Sequence, residues 1–101
     1  MIKKRFLKTK PECKVYFKVP KDEVGNADNV SLVGDFNDWD PSANPMKKLN
    51  NGDHSLTLNL PKGENYQFKY YVDENRWIND NEADDYTEAP FPETKNSLLV
   101  T

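Results

Sequence analysis

Two tryptophans, Trp39 and Trp77, are the residues of this sequence best suited to recognition chemistry. Trp39 stands in the stretch Val30-Ser31-Leu32-Val33-Gly34-Asp35-Phe36-Asn37-Asp38-Trp39-Asp40-Pro41, where an apolar run ends in glycine and a proline turn follows. The Asn and Asp side chains between them favour side-chain-to-backbone turns. Phe36 suits a core, whereas a large aromatic at a loop tip is difficult to bury and commonly serves binding. A surface combining Trp39 and Trp77 with Lys69 and Asn96 would suit a sugar. Glucose presents a flat patch of C–H bonds to an indole, and its hydroxyls seek donors and acceptors such as an ammonium and an amide. Two indoles set at an angle fit a curved α-glucan, and a flat row fits cellulose. At roughly 25 cal/mol per Å² each ring supplies about 2–3 kcal/mol gross. After association costs, two rings imply dissociation constants between about 10 μM and 1 mM. Such a site holds a polymer by multivalency. The plainer alternative is that both tryptophans are core residues of a small β-domain.

Other chemistries fit less well. Asp80, Glu82, Asp84 and Asp85 lie close together, but they lack the ligand spacing and central glycine of an EF-hand loop, so a solvated acidic loop is expected and no metal. Nothing in the pattern sets two carboxylates at the fixed separation that glycoside hydrolysis needs, so no catalysis is expected. His54, the one histidine, stands beside a turn with no second ligand and reads as a surface residue. Cys13 alternates with core positions and reads as an inert buried thiol; a lone cysteine excludes an internal disulfide. Exposed aromatics with lysine also suit single-stranded RNA. A net charge of −3 and a pI near 5.1 argue against nucleic acid.

The elements that must position these residues follow a period of two. Cys13, Val15, Phe17 and Val19 alternate with polar residues, as do Leu56, Leu58 and Leu60, and Tyr66, Phe68, Tyr70 and Val72. Val30 to Val33 reads as a more buried strand, and Asn96 to Thr101 as a terminal one. Pro20 to Asn26, Asp40-Pro41, Asn50-Asn51-Gly52-Asp53 and Pro61-Lys62-Gly63 mark turns, the third a hairpin that tolerates positive φ. No helical stripe is present. Residues 79–95, acidic and then proline-rich, read as a long loop. The hairpin after Val72 decides where Trp77 points. A two-residue loop turns it inward. A three-residue loop, Glu74 to Arg76, sends Ile78 to the core and sets Trp77 beside Lys69 and Tyr71 on the outer face; this is the preferred arrangement.

The length of 101 residues makes one domain. Residues 1–11, with Lys3, Lys4, Arg5, Lys8 and Lys10, form a basic tail or edge segment, a solvated tail being favoured, and residues 12–101 the β-domain. No apolar stretch follows these cations as in a signal peptide, and none is long enough to span a membrane, so a cytoplasmic monomer is expected.

Gly34-Asp35-Phe36-Asn37-Asp38-Trp39, Leu60-Pro61-Lys62-Gly63-Glu64, Tyr66 to Asp73 and Trp77 closely resemble the early-set domains of isoamylases and glycogen-branching enzymes. The same carbohydrate-binding module family 48 includes the glycogen-binding domain of the AMP-activated protein kinase β subunit. The resemblance runs from about Lys14 to Val100. It implies an immunoglobulin-like antiparallel β-sandwich that binds α-1,4-glucan without cofactor or catalysis. The family's stacking tryptophans fall on Trp39 and Trp77, its hydrogen-bonding Lys and Asn on Lys69 and Asn96, a further contact on Thr94, and its apolar loop residue near Phe91 or Pro92. The alternative is a protein-interaction module that docks on a glycogen-metabolising enzyme or kinase-like partner without itself binding sugar.

Overall fold

The structure, a computed structural model, describes residues 1–88 and 95–101. Within them the alternating segments form β1 (Ile2–Phe6), β2 (Glu12–Val19), β3 (Val30–Gly34), β4 (Lys47–Lys48), β5 (His54–Pro61), β6 (Asn65–Val72), β7 (Arg76–Ile78), β8 (Asp85–Glu88) and β9 (Lys95–Val100). One helical turn, α1 (Lys21–Val24), follows β2, and a 3-10 turn spans Asp35–Asn37. All pairings are antiparallel. The first sheet runs β1-β2-β5-β4 and the second β3-β6-β9-β8, with β7 also against β6. The sheets stack as an all-β, immunoglobulin-like sandwich.

The inward phase of each strand builds the core. Cys13, Val15, Phe17 and Val19 of β2 meet Val30 and Leu32 of β3, Phe68, Tyr70 and Val72 of β6, and Leu99 of β9. Phe17 and Phe68 pack edge to face, 5.5 Å between centroids, and Phe36 lies against both. A buried side chain of this kind contributes about 2 kcal/mol. Gly34 is required by crowding: a Cβ there would lie 2.5 Å from the Gln67 carbonyl oxygen and 2.7 Å from the Phe68 Cβ.

Several expectations change. The basic tail contains an edge strand, β1, paired along its length with β2, so Ile2 reaches the core margin. The long acidic loop contains β8, which pairs with β9, and residues 89–94 of that stretch lie outside the description. The acidic cluster is only partly solvated. Asp80 is fully buried, and its carboxylate accepts from the Met1 ammonium at 3.0 Å and the Tyr70 hydroxyl at 2.6 Å. Asp84 pairs with Lys4 and accepts the Val100 amide. His54, expected at the surface, is fully buried, because it occupies the inward phase of β5 with Leu56, Leu58 and Leu60. Neither of its ring nitrogens has a hydrogen-bond partner among the described residues. The hairpin at Asn50–Asp53 closes with Gly52 alone at positive φ, 92°, after a turn in which the Gly52 amide bonds the Leu49 carbonyl at 3.0 Å. That is a three-residue loop, not the two-residue mirror-image turn.

Candidate functional site

The outer face of the second sheet gathers the candidate residues. On β6 the outward phase is Gln67, Lys69 and Tyr71, since Tyr70 and Val72 are buried. Trp77 pairs with Tyr71 and Ile78 with Tyr70, so the indole stands outside and the aliphatic residue packs inside. The loop between them has three residues, as expected. It is Asp73-Glu74-Asn75, one position earlier than Glu74 to Arg76, which shifts the register by two and leaves the face unchanged.

Local chemistry holds this hairpin. Asp73 and Glu74 adopt left-handed backbone, φ 48° and 57°. The Asp73 carboxylate accepts the amides of Asp28 and Asn29 at 3.0 and 2.9 Å, tying the loop to the segment before β3. The Tyr71 hydroxyl donates to the Glu74 carbonyl at 2.7 Å. Its ring stacks on Trp77, with centroids 4.3 Å apart and planes inclined by 28°. Trp77 therefore has one face covered by tyrosine, yet the residue remains 46% exposed.

Trp39 reaches the same face from β3. Asp38 and Trp39 are both left-handed, φ 56° and 57°, an arrangement that costs non-glycine residues energy and is uncommon for a bulky one. Three bonds hold it. The Trp39 amide donates to the Gly34 carbonyl at 2.9 Å, and the indole N–H donates to Asp35 Oδ1 at 2.8 Å. The other oxygen of Asp35 accepts the Gln67 amide of β6 at 2.7 Å. One carboxylate thus fastens the indole to the sheet. Asn37 secures the turn from behind, accepting the Gly34 amide and donating to the Leu32 carbonyl.

Between the two indoles stand Lys69 and Asn96. Ser97 of β9 pairs with Phe68, so Asn96 lies alongside Lys69. Asn96 is 7% exposed, and its amide nitrogen donates to Gln67 Oε1 at 3.0 Å. Burial lowers the pKa of the Lys69 ammonium from the ordinary lysine value. Gln67, whose amide shares the Asp35 carboxylate with the Trp39 indole, and Tyr71, which stacks on Trp77, stand four strand residues apart, about 13 Å along β6. Trp39, Trp77, Lys69 and Asn96 are thus brought to one face. Thr94, Phe91 and Pro92 lie outside the described residues.

Comparison with known proteins bears on what such a face recognises. The model of the glycogen recognition site of AMP-activated protein kinase matches residues 23–97. The chain belongs to this family. Its family is one of carbohydrate-binding modules, and the match includes both tryptophans, Lys69 and Asn96. The chain is also similar to amylopullulanase of Thermoanaerobacter thermohydrosulfuricus, 37% identical over 59 residues, which cover 56% of this chain and 4% of the relative. It is similar to the 1,4-alpha-glucan branching enzyme GlgB of Thermosynechococcus vestitus, 33% identical over 81 residues, covering 79% of this chain and 10% of the relative. The chain thus spans a tenth or less of the length of these enzymes.

The sequence pattern set Tyr71 on the outer face of this glycogen-recognition family member without giving it a part in the site, and Gln67 and Asp35 were not singled out. Tyr71 and Gln67 share the phase of Lys69, so the alternation that placed the lysine also placed them. Asp35 gave a weaker signal, standing four residues before Trp39 across a turn whose left-handed geometry no pattern announces.

Proposed function

We propose that this chain is a non-catalytic module that binds α-1,4-glucan, as glycogen, starch or maltooligosaccharide, across the outer face of the second sheet. The supporting observation is the outer row of β6, where Lys69 lies between Gln67, tied through Asp35 to the Trp39 indole, and Tyr71, stacked on Trp77. In this reading Trp77 offers its free face to one glucose and is stiffened from behind by Tyr71. Trp39, its N–H already bonded to Asp35, contributes its ring and not its donor. Lys69 donates to sugar hydroxyls and Asn96 orients them. The gross stacking energy of about 2–3 kcal/mol per ring, less association costs, sets an affinity in the micromolar-to-millimolar range.

The test is a titration of intrinsic tryptophan fluorescence with maltoheptaose, using cellohexaose as control. A saturable change is expected with the α-linked sugar alone. Trp39→Ala and Trp77→Ala should each weaken it by about tenfold or more, with circular dichroism and melting temperature little changed. No response to maltoheptaose up to about 5 mM overturns the reading. A tryptophan whose removal unfolds the domain is a core residue, and the platform role fails for it.

A further inference from the structure

The outer face of the first sheet is basic. Register puts Lys3 and Arg5 of β1, Lys14 and Lys18 of β2 and Lys47 of β4 on it, against Glu12 at the end of β2 and, just before β5, Asp53. The outward side chains of β5 are Ser55, Thr57 and Asn59, all uncharged. Lys18 is paired with Asp53 at 3.2 Å. Lys3, Arg5, Lys14 and Lys47 are exposed and have no ion-pair partner among the described residues. The chain as a whole carries a charge of −3, so this face separates cations from an acidic average.

Folding does not call for this arrangement. Lysines on an edge strand are an ordinary defence against edge-to-edge pairing, and β1 is an edge strand. Lys14 has no such duty, because β2 is flanked on both sides by β1 and β5. Yet Lys14 sits directly opposite Arg5, where like charges repel and oppose folding. An anionic occupant would relieve that repulsion.

We infer that this face docks an extended acidic segment of a protein partner. Alternate residues of a strand recur at about 7 Å, the spacing of Lys3 and Arg5 along β1, so a strand bearing carboxylates at every second position meets both. The free edge of β1 supplies unpaired backbone groups for such a strand to join. Single-stranded nucleic acid fits less well, since its bases need stacking rings, and the ring on this face, Tyr16, is half-buried between the rows. The face lies on the opposite side of the sandwich from the two tryptophans, so its occupancy does not depend on sugar binding.

The experiment measures fluorescence polarisation of a fluorescein-labelled peptide of alternating glutamate and threonine, at low salt, against the intact chain. Oligouridylate and phosphatidylserine vesicles serve as competing probes. Peptide binding is expected, and it should weaken with added salt. The double variant R5E/K14E should lose at least about tenfold in peptide affinity while the maltoheptaose response persists. The neutral pair R5Q/K14Q, which relieves the repulsion and keeps the fold, should weaken the peptide as well. Absence of peptide binding, equal binding by the variants, or tighter binding of oligouridylate or vesicles overturns the inference.

Discussion

His54 shows how far one buried side chain can govern a response to pH. Burial lowers its pKa from the ordinary histidine value; the nearby Asp28 backbone opposes this, Lys48 acts with burial, and Asp73 and Asp53 act against it. The folded chain therefore binds this proton less readily than the unfolded chain, and acid favours unfolding. Stability is complete above about pH 6.5 and declines from there as the pH falls toward the folded-state value, by at most about 1.4 kcal/mol per pH unit. Urea denaturation between pH 7 and 5 is expected to show this decline in wild type and a flatter profile in His54→Leu. The variant should be no less stable than wild type at neutral pH, because it replaces two unpartnered nitrogens with apolar volume. The sequence held the phase that buries His54, since it shares the alternation of Leu56, Leu58 and Leu60. Its polarity and its place beside a turn pointed outward instead.

At the scale of elements, the second sheet and the turn after β3 are coupled through Asp35, whose two oxygens hold the Trp39 indole and the Gln67 amide. Asp35→Ala is expected to weaken maltoheptaose binding about tenfold and to lower stability by about 1–3 kcal/mol. Asp35→Asn retains one acceptor and sets its amide N–H against the other donor, so it should recover only part of the affinity. A binding constant unchanged in Asp35→Ala would show that the indole needs no such anchor. The strands that alternate strongly, β2, β5 and β6, were readable because period two with one apolar phase has few other solutions, and the same parity placed Trp77 outside. β1 and β8 were hidden for a shared reason. Both are edge strands without a clean apolar alternation, and their order comes from backbone hydrogen bonds to the next strands along the chain, β2 and β9, which the side-chain pattern does not announce. The site followed the same division: Lys69, Trp77 and Asn96 came from alternation and resemblance, whereas the Asp35 tether depends on left-handed backbone at Asp38 and Trp39.

Across the whole molecule, Asp80 joins parts of both sheets. Its carboxylate holds the Met1 ammonium ahead of β1, the Tyr70 hydroxyl of β6 and the Glu82 amide, and its own amide donates to Ser97 Oγ of β9. Burial, followed by the nearby Asp80 charge, raises the Tyr70 phenol well above its ordinary pKa, so that hydroxyl remains a donor throughout the physiological range. Asp80→Asn is expected to cost about 3 kcal/mol, read as a lower denaturation midpoint, because it leaves an ammonium without its counter-charge and a buried network incomplete. A midpoint within about 0.5 kcal/mol of wild type would place the main tie between the sheets elsewhere. The sandwich that Asp80 fastens has a shortest dimension of 23 Å, with the aromatic row on one broad side and the cationic row on the other. Its thickness is then a fixed spacer. A protein held on one side while a glucan lies on the other stays within a few nanometres of polymer. At that separation a weak catalytic encounter is replaced by a tethered one, governed by effective concentration and not by the free concentration of either party.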